Sequence, residues 1–281
     1  MNKLGFRAHD LGSFDTVINF ISEMDNKSCP HIIQFAPTKL FKNITHISET
    51  KESWITSTSK SFQEANIEVS VLGCYINPLN TEKEYRTKVI NDFKTSLEIA
   101  KYFNNSVVAT ETGTNKNSLQ LNLGEEKRLN NFWNFLEKVI PIAQKNNATI
   151  AIEPVADHTI CSFKKIDQML TYFKCDNLKL IYDPVNFLPY KDNELVPEFQ
   201  KQQFIEFFEK YNSLISIIHL KDFNIVEKQK NGYLSLFSGR FNIEDFIFTL
   251  KKYNNQSPLL LENVNIPDIK NIIYKLQSLL N

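Results

Sequence analysis

Short apolar or β-branched runs alternate with longer segments of helical period from one end of this chain to the other. Strand candidates begin near Leu4, Ile32, Val69, Val107, Ile150, Leu178, Ile215 and Leu259. Each is a few residues of buried-strand character bounded by turn residues, the pattern of a parallel sheet covered on its faces. Between them run amphipathic stripes, such as Leu129, Phe132, Leu136, Val139, Ile140 and Ala143, which place one apolar face on a helix. Similar stripes run through Tyr85, Val89, Phe93, Leu97 and Ala100, and through Ile269, Ile272, Ile273, Leu276 and Leu280. Successive strand starts lie about 28 to 44 residues apart, room for one helix in each interval. Eight such repeats in 281 residues predict an α/β fold, a single (β/α)8 TIM barrel domain over residues 1–281. A doubly wound open sheet would use fewer strands and show a glycine-rich first turn. The stretch Val185 to Gln203, with Pro184, Pro189 and Pro197, reads as a long loop placed to cover a substrate.

Composition narrows the chemistry. With 42% hydrophobic and 23% charged residues the chain can bury a large core. Thirty-two Lys and Arg balance thirty-two Asp and Glu, which lacks the basic excess of a nucleic-acid binder. No apolar run reaches the length of a membrane span and no secretory h-region opens the chain, so a cytoplasmic protein with neither nucleic-acid nor membrane partners is expected. Cys29, Cys74, Cys161 and Cys175 form no CxxC pair and read as reduced thiols. Only seven glycines occur, in no GxGxxG or P-loop string, so the common phosphate cradles are missing.

Barrel active sites lie at the C-terminal ends of the strands. Four consecutive strand candidates end in a polar residue: IAIEPVADH (150–158) in Glu153, IYDPVN (181–186) in Asp183, IIHLKDF (217–223) in His219 and PLLLENV (258–264) in Glu262. Any one alone is an ordinary strand-end polar residue, but on neighbouring strands all four converge. Three carboxylates in one mouth repel unless a cation sits between them. With one imidazole they make a shell for a single divalent ion, Mn²⁺, Mg²⁺, Co²⁺ or Zn²⁺, and the spacing does not choose among these. Around them, Lys221 and Arg240 are candidates for holding a substrate anion, Arg240 because it precedes a helix N-terminus. His158, His9 and Glu111 are candidates for lining the mouth, as is Asn186, and Phe35, Tyr75, Tyr182 and Phe223 for apolar walls.

The chain resembles the xylose-isomerase-like sugar phosphate isomerase/epimerase family of metal-dependent barrels. The likeness starts at FRAHDLG (6–12), runs through IIQFAPTKLF (32–41), GCYINPLN (73–80) and VVATETG (107–113), and is strongest over the four strand ends. It implies that Glu153, Asp183, His219 and Glu262 hold the metal and that Glu153 and Glu262 are also the catalytic acid and base. The implied reaction is isomerisation or epimerisation of a sugar, sugar phosphate or related polyol, by proton transfer at a carbon beside a carbonyl that the metal polarises. A small-molecule carbohydrate is then the partner, with homo-oligomerisation left open. An inosose-dehydratase-like lyase, with Lys221 or His158 protonating the departing hydroxyl, and a barrel that binds without catalysis are the alternatives. Epimerases of the family often carry His where this chain has Asn186, and five histidines in all are too few for the trinuclear site of endonuclease IV.

Overall fold

The computed structural model describes residues 2–23, 31–80, 82–114, 123–189 and 195–281. Eight parallel strands close into a barrel: β1 (Leu4–Arg7), β2 (Ile32–Phe35), β3 (Glu68–Gly73), β4 (Val107–Glu111), β5 (Ile150–Glu153), β6 (Leu178–Tyr182), β7 (Ile215–Leu220) and β10 (Leu259–Leu261). The ring closes where β1 pairs with β10, Gly5 opposite Leu260. The predicted stripes form the outer helices α4 (Lys83–Ile99), α5 (Glu125–Asn146) and α10 (Ile266–Leu280), with Phe93, Leu97, Phe132, Leu136, Ile269 and Leu276 buried against the strands. Around the barrel packs an aromatic-rich layer; Tyr182 stacks on Phe207 with ring centroids 3.7 Å apart.

Strand periodicity builds the site. Successive side chains of a strand point to opposite faces, so every second residue enters the barrel. Val71, Ala109, Ala151, Ile181, Ile217 and Leu260 form one buried apolar cluster, a layer of the barrel interior. Gly5 completes it, because a Cβ there would lie 2.4 Å from the Ile32 carbonyl oxygen and 2.6 Å from a Leu260 methyl. Two residues further along β1, β4, β5, β6, β7 and β10 come Arg7, Glu111, Glu153, Asp183, His219 and Glu262. The polar layer thus sits directly above the apolar one.

Two expectations change. Residues Val185 to Gln203 are not one loop: α7 (Pro184–Phe187) follows β6 directly, and α8 (Pro197–Tyr211) starts inside the stretch. Pro184 and Pro197 each occupy the first turn of a helix, where a missing N–H costs nothing and the fixed φ suits the helix. Residues 190–194 of the stretch lie outside the described ones. An unpredicted antiparallel hairpin, β8 (Asp222–Val226) and β9 (Gln229–Leu234), follows β7.

Candidate active site

At the C-terminal end of the barrel lies a cavity of about 470 Å³, with Glu153, Glu262 and Lys221 among its lining residues. Glu153, Asp183 and His219, all buried, each bring a donor atom within 4.8 Å of the others. Glu262 joins them through the imidazole: His219 Nδ1 lies 3.3 Å from Glu153 Oε2 and 3.2 Å from Glu262 Oε1. Both ring nitrogens of His219 are buried without a well-formed hydrogen bond. Oxygen donors, one imidazole and orphaned buried polar atoms fit a divalent cation, since such atoms are costly to leave unpaired.

Cations of the protein already stand among these acids. Lys221 Nζ lies 2.8 Å from Asp183 Oδ2 and 2.9 Å from Glu262 Oε2. Arg7 Nη1 is 3.3 Å from Glu262 Oε2, while its other nitrogens donate to Asp10 and, at 2.8 Å, to Asn263 Oδ1. Burial alone would raise the Glu262 carboxyl, but Lys221, His219 and Arg7 outweigh it and hold it well below the usual carboxylate range. Burial would lower Lys221, yet Asp183 and Glu262 keep it firmly an ammonium. Glu111, at the cavity edge, is pushed up to about 8 by burial and then by Glu153. His9 is pushed down to about 4 by burial, with Arg7 as the next cause.

The remaining candidates separate. His9, Glu111, Asn186 and Lys221 line the cavity. Asn186 is set by α7: its N–H donates to Asp183 Oδ1 at 2.8 Å and its Nδ2 to Glu153 Oε1 at 2.6 Å. His158 stands behind Glu111, Nδ1 3.6 Å from Glu111 Oε2, and is not among the lining residues. Arg240 is a correction: it is exposed and outside the cavity, its N–H donating to the Phe223 carbonyl. The helix it precedes, α9 (Ile243–Lys252), is capped by Asn242 instead. Lys221 does not pair with Asp222, which turns away to accept the N–H groups of Phe223, Gly239 and Phe241. Phe35, Tyr182 and Phe223 are core residues, and of the four aromatics Tyr75 alone lines the cavity. Sequence reasoning missed Arg7, Gln34, Lys39, Lys230 and Tyr233 as lining residues. Arg7 and Gln34 lie toward the C-terminal ends of β1 and β2, a position that marks them once the strands are known.

The model of the xylose isomerase-like TIM barrel family matches residues 31–279. The chain belongs to that family. Among solved structures it is similar to a D-tagatose 3-epimerase-like protein, with TM-score 0.77, 17% identity and coverage of 99% of this chain and 97% of that one. The IolI protein with a binding zinc atom gives 0.69, 15%, 99% and 98%. Mannonate dehydratase from Streptococcus suis serotype2 gives 0.66, 14%, 92% and 82%. Identities this low establish the fold. No curated protein matches the sequence. Among the described residues no helix of this family member is long and apolar enough to cross a membrane.

Proposed function

We infer that this barrel is a divalent-metal-dependent isomerase or epimerase of a sugar or sugar derivative, moving a proton at a carbon beside a carbonyl. The observation that carries the reading is the pair of glutamates from β5 and the end of β10 that both approach His219 Nδ1, at 3.3 and 3.2 Å, and both line the cavity. Structural likeness to an epimerase-like protein and to a zinc-binding IolI protein supports it. Glu153, Asp183, His219 and Glu262 are the residues to hold the ion, which when bound supplies Lewis-acid polarisation of the substrate carbonyl. Glu153 then takes or returns a proton through a carboxylate whose Oε1 is steadied by Asn186. Glu262 serves from the other side, kept ionised by Lys221 and Arg7. Each such step is typically worth about 10²–10⁴ in rate.

The dehydratase reading has a structural relative in mannonate dehydratase, but the two groups offered as its acid are engaged elsewhere. Lys221 is clamped as an ammonium between Asp183 and Glu262, and His158 stands behind Glu111. For the isomerase reading, Glu153→Gln and Glu262→Gln, which keep an oxygen donor, should each lower kcat by at least about 10²-fold. Metal content and solvent-deuterium incorporation into a panel of ketoses are measured alongside. A variant that keeps both its metal and its exchange removes that residue from proton transfer.

A further inference from the structure

The cavity mouth has two unlike arcs. From β4 round to β10 its lining holds Glu111, Glu153 and Glu262, over Asp183 and His219. From β1 to β3 it holds Arg7, His9, Gln34, Lys39 and Tyr75, and no carboxylate. Among the four cations facing the cavity, three are engaged. Arg7 is held by Asp10, Asn263 and Glu262, Lys221 by Asp183 and Glu262, and Lys230 by the carbonyls of Val185 and Leu188. The Lys39 ammonium, exposed at the end of α2 (Pro37–Leu40), has no hydrogen-bond or ion-pair partner among the described residues. Beside it, His9 Nδ1 is buried without a partner.

Gln34 gives the second observation. Its side chain is 0% exposed, its Nε2 donates to the Tyr75 hydroxyl at 2.7 Å, and its Oε1 has no donor. A buried acceptor left open is costly, so a ligand that brings a hydroxyl there recovers the loss. The Tyr75 hydroxyl, already accepting from Gln34, keeps its own proton to give.

We propose that the β1–β3 arc is a distal subsite for a polyol chain ending in an anion, a phosphate or a carboxylate, in which Gln34 and Tyr75 read a hydroxyl and Lys39 takes the charge. This deepens the isomerase reading and rests on its placement of the reacting carbons at the opposite arc. Charge balance agrees. Arg7, Lys39, Lys221 and Lys230 match Glu111, Glu153, Asp183 and Glu262 in number, so a divalent ion leaves the site with positive charge that an anionic substrate offsets and a neutral sugar does not.

The test is calorimetric binding to the manganese-loaded full-length chain of D-ribulose against D-ribulose 5-phosphate, D-fructose against D-fructose 6-phosphate, and D-tagatose against D-tagaturonate. The anionic member of a pair should bind at least tenfold more tightly, and Lys39→Gln should bring that ratio within about threefold. Gln34→Met should weaken neutral and anionic members alike, about tenfold. Tighter binding in the phosphate pairs assigns a phosphate, and in the tagaturonate pair a carboxylate. Neutral sugars bound as tightly as their anionic partners, or a preference that survives Lys39→Gln, would overturn the subsite. Binding is read without turnover: a Lys39-dependent preference in a protein inert toward the same compounds sinks the isomerase reading alone. Turnover of neutral ketoses with no such preference sinks the subsite alone.

Discussion

Lys221 illustrates how one side chain holds a cluster together. Its ammonium spans Asp183 and Glu262 at 2.8 and 2.9 Å in a nearly solvent-free setting. Removing one partner of a buried ion pair leaves the other charge uncompensated and typically costs about 3–5 kcal/mol. Lys221→Met should therefore lose stability on that scale in metal-free protein, measured by urea unfolding, and recover part of it with saturating Mn²⁺, which binds the folded state. Unchanged metal-free stability would show that the ammonium is not what balances these acids. At this scale the sequence was partly legible. Glu153, Asp183, His219 and Glu262 each close an apolar strand run, so their meeting at one end of the barrel could be read from order alone. Arg7 and Gln34 carry no such mark, because a lone polar residue at a strand end looks like any half-buried one until its ring of neighbours is known.

The β8–β9 hairpin was illegible for a definable reason. Two-residue hairpin turns with both central residues at positive φ usually advertise themselves as Asn-Gly or Asp-Gly. Here the turn is Glu227–Lys228, at φ 50° and 63°, flanked by the pair Val226 and Gln229. The hairpin is pinned over the cavity: the buried Lys230 donates to the carbonyls of Val185, within α7, and of Leu188, just past it, and Ser235 Oγ to that of Asn263. Charge-assisted hydrogen bonds of this kind contribute about 1.5–3 kcal/mol each. Lys230→Met should accelerate amide exchange across residues 222–234 at least about tenfold relative to the barrel strands. Equal protection in both proteins would show that Lys230 is no latch. The helix α8 was hidden differently, because three prolines read as a loop, although a proline at a helix start is no obstacle.

For the whole molecule, the spacing of apolar runs was enough to name the barrel, since eight repeats each bury a strand under a helix and nothing local contradicts closure. How tightly it closes rests on Gly5. A methyl there would meet the backbone of Ile32 at 2.4 Å as well as Leu260, in a ring where no strand can move alone. Gly5→Ala should lower stability by about 1–3 kcal/mol or more, a fall of several degrees in the thermal midpoint. Gly124→Ala, with nothing within 4 Å of its added methyl, is the control and should cost far less. Similar midpoints for the two variants would mean that the barrel relaxes at its β1–β10 seam.

The two arcs of the mouth also map onto the chain in blocks. Arg7, His9, Gln34, Lys39 and Tyr75 all fall within the first 75 residues, whereas Glu111, Glu153, Asp183, His219 and Glu262 follow from 111 onward. The blocks touch electrostatically through the Arg7–Glu262 contact at the β1–β10 seam. A barrel partitioned this way is open to modular exchange: grafting a homologous N-terminal quarter, provided it keeps Gly5 and Arg7, would install a different ligand-reading surface opposite an untouched set of acids. Chimeras cut between β3 and β4 are the natural starting library for redirecting this scaffold.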